Sequence, residues 1–134
     1  MIEELQGVKK ETKIIGVSML TSLDNEDLKK MGYNLGQKNF VHNLVKIGVE
    51  AGIDGIVSSP KEVKELRKEY GNLIFVTPGI RLPNDSNDDQ KRIESPKLAV
   101  EVGSNILVIG RPITKSKDPL KSIKKITENI NHGK

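Results

Sequence analysis

Four short apolar runs rich in β-branched residues divide the chain, and each is followed by a polar or glycine-containing segment. They occupy residues 12–20, 55–58, 73–77 and 105–109. Apolar runs of this length, bounded by turn residues, are typical of buried β-strands. The pattern therefore predicts four strands.

Between these runs the apolar positions recur at helical spacing. In residues 40–52 the spacing is three and four residues, and Gly52 is a natural stop; the apolar positions are Val41, Leu44, Val45 and Val49. A second helix is predicted from Ser59, with proline at its first position and Glu62 three residues after the cap, to Gly71. The same kind of start recurs at Ser95-Pro96 and Asp118-Pro119, and a short helix is predicted over 25–31.

Strands that alternate with helices predict βαβ units and a parallel sheet, so the fold class is α/β. No linker or low-complexity tract interrupts residues 12–131, and the 134 residues are predicted to form one domain. This length is roughly half of the ~250 residues that an eight-stranded α/β barrel usually needs.

The amino-acid composition excludes several classes of chemistry and indicates what the core is made of. Aromatic residues make up only 3%, so the core must rely on Ile, Leu and Val, which suits a parallel sheet. The absence of cysteine excludes disulfides, thiol catalysis and thiolate metal sites. The first twenty residues are charged and no apolar run approaches eighteen residues, so we expect neither a signal peptide nor a membrane span, and a cytoplasmic location.

The net charge of +4 does not by itself indicate a nucleic-acid partner. Lysines alternate with acidic residues, as in residues 61–69, which is typical of a solvated helix face with i,i+4 pairs. No aromatic stacking platform accompanies them. We expect no nucleic-acid partner and no membrane partner.

Two strand ends carry the candidate chemistry. Residues 75–81 (Phe-Val-Thr-Pro-Gly-Ile-Arg) and 106–112 (Ile-Leu-Val-Ile-Gly-Arg-Pro) each run from an apolar strand into glycine and arginine. Glycine lets backbone amides approach a ligand, and a guanidinium matches a phosphate bidentately. Arginine occurs only at positions 67, 81, 92 and 111, against many lysines, which makes two arginines at strand ends more informative. The pair predicts a phosphate grip.

Four segments in order resemble the bacterial orotidine 5'-phosphate decarboxylase family: Leu20-Thr21-Ser22; Asp54-Gly55-Ile56-Val57-Ser58-Ser59; Thr77-Pro78-Gly79-Ile80-Arg81 with Asp89-Gln90-Lys91-Arg92; and Val108-Ile109-Gly110-Arg111-Pro112-Ile113-Thr114. The resemblance extends from about residue 12 to residue 130. It implies the C-terminal half, strands five to eight with their helices, of a (β/α)8 TIM barrel.

The resemblance also implies site residues. Thr21 corresponds to a hydroxyl that hydrogen-bonds the pyrimidine base, and Arg81, Gln90, Gly110 and Arg111 to ligand-binding residues. Gln90 and Arg111 are implied to contact the 5'-phosphate, with Gly110 offering its backbone. The ligand implied is a pyrimidine nucleoside monophosphate, and the resemblance implies no cofactor and no metal.

The family's catalytic Asp-x-Lys-x-x-Asp motif is absent from these 134 residues. Residues 27–32 imitate its beginning but have Gly32 in place of the last aspartate, and we interpret them as the exposed face of a short helix. A phosphate grip alone stabilises substrate and transition state alike. The sequence therefore predicts a truncated relative with no catalytic residues, which does not decarboxylate alone.

Two other functions stay open. The chain is alternatively the C-terminal subunit of a split decarboxylase in pyrimidine (UMP) biosynthesis, or a noncatalytic interaction protein. A half barrel has two edge strands and an uncovered inner face, so a second copy or a separate N-terminal half is the expected partner.

Simpler roles compete at several positions. Arg81 and Arg111 could form surface ion pairs, Gly79 and Gly110 could be ordinary turn residues, and Thr21 with Ser22 could cap the short helix. The loop at 83–89 places three carboxylates near the predicted phosphate, which would weaken binding unless they point outward. His42 and His132 are expected at the surface.

Overall fold

The computed structural model describes residues 1–82 and 94–131. Eleven elements occur in these ranges, in the order α1 Ile2–Val8, β1 Ile15–Val17, α2 Asn25–Lys30, α3 Gly36–Glu50, β2 Gly55–Val57, α4 Pro60–Glu69, β3 Ile74–Thr77, α5 Pro96–Glu101, β4 Ile106–Leu107, α6 Arg111–Thr114 and α7 Pro119–Asn131. The predicted α/β class is confirmed.

The four strands form one sheet in the order β1-β2-β3-β4, and every neighbouring pair is parallel. β1 and β4 are shorter than the predicted runs 12–20 and 105–109. Both are edge strands of this sheet, and each pairs with only one neighbour. Only part of each predicted apolar run is paired, so each strand is shorter than its run. The carboxyl ends of all four strands meet at one rim of the sheet.

One face of the sheet is covered by helices. Ile56 and Phe75 share this face through their register and are almost fully buried. They belong to a core cluster with residues of the two longest helices before β3, namely Val41 and Val45 of α3 and Val63 and Leu66 of α4. Burial of these branched side chains is the main source of stability, as the low aromatic content predicted.

The opposite face carries two rows in register: Ile15, Gly55 and Ile74, and a second row nearer the carboxyl ends of the strands. Val17, Val57, Val76 and Ile106 are neighbours in register across all four strands. Residues in register across a parallel sheet point to the same side, so these four side chains form what we call the open face. Val17 is 58% exposed and Ile106 51% exposed. The helix-covered core is therefore one-sided in the described residues.

Several helix boundaries follow the predicted signals. α4 begins with Ser59 as N-cap and Pro60 as first residue, and Ser95 caps α5 by accepting the Leu98 amide at 3.2 Å. α3 ends just before Gly52, whose φ of +88° is the left-handed conformation that stops a helix. α3 begins at Gly36, four residues before the predicted start, and the Asn25 side chain accepts the Gln37 amide at 2.7 Å.

The short helices α1 and α6 were not predicted. α1 contacts the remainder of the chain through residues distant in sequence: Gln6 donates to the Gly52 carbonyl, and Lys9, just after α1, lies 2.7 Å from the Asp54 carboxylate. Within the described ranges, none of the helices is both long and apolar enough to cross a bilayer.

Candidate functional site at the carboxyl ends of the strands

The two predicted strand ends lie side by side. The Val108 amide donates to the Thr77 carbonyl at 2.9 Å, which extends the β3–β4 pairing to the last residue before each loop. Gly79 and Gly110 each follow this pair by two residues. The chain therefore leaves both strands at the same rim, and the glycine-arginine segments begin as neighbours, as the sequence predicted.

Gly79 is required by the backbone. Its φ is +77°, a conformation that residues with a Cβ rarely adopt. Its carbonyl accepts the Glu94 amide at 3.2 Å, and the Arg81 amide donates to the Glu94 carbonyl at 3.0 Å. These two hydrogen bonds join the two ends of the loop between Arg81 and Glu94, which we call the loop neck. A turn role is therefore sufficient to explain why glycine occupies position 79.

Gly110 differs from Gly79. Its φ is −97°, and among the described residues, its two chain neighbours aside, no atom lies within 4 Å of the position that a Cβ would take. Its carbonyl accepts the amides of Ile113 at 2.9 Å and Thr114 at 3.0 Å, which starts α6. Packing within the described chain does not exclude a side chain here, so the described residues leave space beside this backbone at the rim.

The two arginines occupy different environments. Arg81 is only 7% exposed, and its Nη1 donates to the Ile80 carbonyl at 2.8 Å. The alternative of a surface ion pair is therefore wrong for Arg81, because this residue is buried. Arg111 is half-buried and is the first residue of α6, directly after Gly110.

Thr21 lies at the other edge of the rim. It follows β1 and is 6% exposed. Three interstrand spacings separate β1 from β4, about 14 Å along the sheet. The sheet thus places Thr21 and Arg111 at the same rim but at opposite ends of it.

Thr21 and Ser22 do not cap the short helix; that alternative is wrong. Asp24 is the N-cap of α2, and its Oδ1 accepts the amides of Glu26 at 2.9 Å and Asp27 at 3.1 Å. Asp27 reciprocates by accepting the Asp24 amide at 3.1 Å. The signal was the Asp24-x-x-Asp27 spacing of a capping box. In residues 27–32, Lys29 and Lys30 are exposed as interpreted, whereas Leu28 is part of the core.

Some predicted residues lie outside the described ranges: Gln90, Arg92, His132 and the acidic loop at 83–89. His42 is partly exposed on α3, as predicted, and its Nε2 lies 3.1 Å from the Glu69 carboxylate on α4.

A row of hydroxyl side chains at the strand ends was not singled out from the sequence. Ser18, Ser58 and Thr77 each come one position after the open-face residue of their strand, and all three are buried. Ser18 donates from its hydroxyl to the Val57 carbonyl at 2.8 Å, and Thr77 shares a hydrogen bond of 2.7 Å with Ser104. The Ser58 hydroxyl has no hydrogen-bond partner among the described residues.

A carboxylate with a lowered pKa lies at the opposite end of the sheet from this rim. A hydrogen bond from Lys9, helped by the Ile14 amide, lowers the pKa of Asp54 from 3.8 to about 2. Asp54 precedes β2 and so lies at the amino-terminal end of the sheet, where barrel folds place stability rather than chemistry. Among the described residues, no group of three or more His, Cys, Asp or Glu side chains could hold a metal ion.

Comparison with known proteins places this geometry in a family. The sequence model of the "Orotidine 5'-phosphate decarboxylase / HUMPS family" matches residues 1–126. The chain belongs to this family. The resemblance noted from residue 12 onward is thus confirmed, and the match also includes the unpredicted helix α1.

Individual relatives agree. An orotidine 5'-phosphate decarboxylase of Coxiella burnetii is 44% identical over 133 residues, covering 97% of this chain and 56% of its own length. One from Ehrlichia chaffeensis is 47% identical over 121 residues, covering 89% of this chain and 52% of its own length. The chain spans about half the length of the curated relatives it matches.

Solved structures give the same proportion. The crystal structure of orotidine 5'-phosphate decarboxylase from Lactobacillus acidophilus superposes with a TM-score of 0.72 at 35% identity, covering 91% of this chain and 50% of that one. The orotidine 5'-monophosphate decarboxylase from Sulfolobus solfataricus, at 18% identity and a TM-score of 0.67, supports the fold alone. The four-stranded parallel sheet thus matches the TIM-barrel architecture of these decarboxylases.

Proposed function

We propose that this chain binds a pyrimidine nucleoside monophosphate and does not decarboxylate orotidine 5'-phosphate alone. In this proposal the chain corresponds to strands five to eight of the family's barrel. The observation that carries the proposal is the adjacency of the two glycine-arginine strand ends, fixed by the Val108–Thr77 hydrogen bond of 2.9 Å. In α/β barrels the last two strands commonly hold a phosphate in this way.

Each proposed contact has a physical basis. The space beside Gly110 lets a phosphate oxygen approach the backbone, and the Arg111 guanidinium supplies a charge-assisted donor next to it. Gln90 adds an amide donor in the proposed site. Arg81 binds from the loop neck or positions that loop, and Thr21 holds the base at the far end of the rim.

The absence of decarboxylation follows from which groups the sequence contains. Transition-state stabilisation needs reacting charges beside the scissile carboxylate, and the alternating Asp and Lys array that would supply them is not among these 134 residues. We expect no turnover of orotidine 5'-phosphate by chain purified from a host lacking its own decarboxylase. Turnover above that background would contradict this part of the proposal.

Calorimetric titration with uridine 5'-monophosphate and with uridine tests the binding. The monophosphate should bind more tightly, and Arg111→Ala should weaken it by roughly 10- to 100-fold, the effect of losing a charged hydrogen bond. Lys124→Ala is the matched control, because it removes an exposed cation from α7. Equal affinity for uridine, or equal losses in the two variants, would refute a phosphate grip.

The open face favours a second candidate, the C-terminal subunit of a split decarboxylase. A partner carrying the other four strands and the Asp-x-Lys-x-x-Asp motif would cover Val17 and Ile106, which are more than half exposed here. The portion of the Coxiella burnetii relative that this chain does not match is a suitable test partner. Decarboxylation on mixing would support the candidate, whereas a stable complex without activity would exclude it.

A further inference from the structure

We propose that two copies of this chain, when no other polypeptide covers the open face, close into one eight-stranded barrel. In this pair β4 of each copy extends the sheet of the other by lying parallel to its β1. The occupant of the open face is therefore a second copy of the same chain, related by a two-fold axis along the barrel.

The open faces of two copies are chemically suited to contact each other. All four of its residues, Val17, Val57, Val76 and Ile106, are aliphatic, so two such faces meet without burying a charge. Leu120 and Ile123 of α7, the helix that follows the β4 end of the sheet, are exposed as well. Large exposed apolar side chains grouped on a sheet face are typical of an interaction surface.

The number of strands determines how many copies close a ring. The strands follow one another in chain order, all parallel, and the chain covers 50% of a solved barrel neighbour. A contact between unlike edges closes when the rotation between copies completes the circle, and otherwise it continues as a filament. An arc of half a barrel is completed by one further copy. The pair then has no edge strand left.

Charges at the rim also favour the contact between β4 of one copy and β1 of the other, which we call the junction. The segment after β1, residues 22–31, carries one net negative charge from Asp24, Glu26, Asp27, Lys29 and Lys30. The segment after β4, residues 110–118, carries two net positive charges from Arg111, Lys115, Lys117 and Asp118. When β4 of one copy lies against β1 of the other, these oppositely charged segments become neighbours at the rim. Like charges would instead oppose that junction.

The junction also changes the site, and this point rests on the proposed function. Within one sheet, Thr21 and Arg111 follow strands that are about 14 Å apart. Across the junction, Thr21 of one copy and Arg111 of the other follow adjacent strands, about 5 Å apart. The closed pair would therefore contain two composite sites, each with residues from both copies.

Sedimentation of the 134-residue chain over a range of concentrations tests the closed pair without any nucleotide, so its result is independent of the proposed binding. We expect a reversible species of twice the 14.8 kDa chain mass, weakened by added salt. A strictly monomeric chain would overturn the proposal. Assembly that continues past two copies would also overturn it, because it means that the ring does not close.

Variants of the two edges sharpen the test. Val17→Lys and Ile106→Asp should each weaken the dimer at least tenfold, whereas Ile47→Lys, at an equally exposed aliphatic residue of α3, should not. When the first two variants are mixed, one junction is unchanged and the other pairs Lys with Asp, so native mass spectrometry should show mostly the mixed dimer. A dimer unaffected by either edge variant would overturn the proposal.

Discussion

Two glycines in equivalent strand ends serve different purposes. Gly79 has a φ of +77°, whereas Gly110 has a φ of −97° and open space where a Cβ would stand. We predict that Gly79→Ala destabilises the fold by about 1–2 kcal/mol, the cost of a Cβ in the left-handed region. Gly110→Ala should leave stability nearly unchanged and weaken binding of uridine 5'-monophosphate.

Denaturant unfolding and nucleotide titration of both variants separate these effects. If Gly110→Ala lost as much stability as Gly79→Ala, the glycine would serve the fold, and its proposed contact with phosphate would lose its basis.

Arg67 shows why arginine is used at one of its four positions. Its guanidinium donates to the carbonyls of Gly71 and Leu73, each at 2.9 Å, and to that of Gly103. It also lies 4.4 Å from the centre of the Phe75 ring. A lysine ammonium holds its three donors on one nitrogen and lacks the planar fork that places Nε and Nη1 at separate carbonyls, so arginine suits this position better.

We predict that Arg67→Lys lowers the free energy of unfolding by about 1–3 kcal/mol, because at least one charged hydrogen bond is lost. Lys64→Ala, on the exposed side of the same helix, should change it by less than about 0.5 kcal/mol. Chemical denaturation measures the free energy of unfolding of both variants. Equal effects would show that the hydrogen bonds of Arg67 do not stabilise the fold.

Residue-scale chemistry was only partly predictable. The scarcity of arginine drew attention to the strand ends, but it could not separate the buried Arg81 from the half-buried Arg111. It also could not reveal that Arg67 joins α4 to the residues that precede β3 and β4. Those distinctions depend on contacts between distant residues. The Asp24 cap, in contrast, was local and could have been found from its spacing.

At the scale of elements, the carboxylate of Asp54 helps to hold α1 at the amino-terminal end of the sheet. Asp54 accepts Lys9 Nζ at 2.7 Å and the Ile14 amide at 2.8 Å. These bonds lower the pKa of Asp54 from 3.8 to about 2. Because the folded pKa is below the unfolded one, the charged carboxylate stabilises the fold above pH 3.8, and this stabilisation is lost as the pH falls towards 2.

We therefore predict that Asp54→Asn lowers the thermal midpoint near neutral pH, and that its difference from the unmodified chain shrinks between pH 4 and pH 2. Comparing the two proteins at each pH subtracts the titration of the other carboxylates. A difference that stays constant over that range would show that the charge of Asp54 is not what fastens α1.

Most elements were predictable because their signals are local. The Ser-Pro starts of α4 and α5 and the glycine after α3 lie within a few residues of the boundaries they set. Helix α1 was missed because its fastening residues lie more than forty positions away. The edge strands were predicted too long, since apolar content alone does not say where pairing stops.

At the scale of the whole molecule, the sheet has a covered face and an open face, and the proposed nucleotide site lies at the rim between them. The helix-covered face holds the buried core, and the open face carries Val17 and Ile106 with more than half of each side chain exposed. The parallel pairing of the strands was predicted from their alternation with helices. The exposure of the open face was not predictable from local patterns, because it depends on which elements pack against the sheet.

The central claim is that the rim at the carboxyl ends of the strands binds a pyrimidine nucleoside monophosphate. An amide proton–nitrogen correlation spectrum of the labelled chain, recorded with and without uridine 5'-monophosphate, tests it most directly. We predict dispersed peaks, with nucleotide-dependent shifts concentrated at Thr21, Gly110 and Arg111. A dispersed spectrum that does not change on adding the nucleotide would contradict the claim.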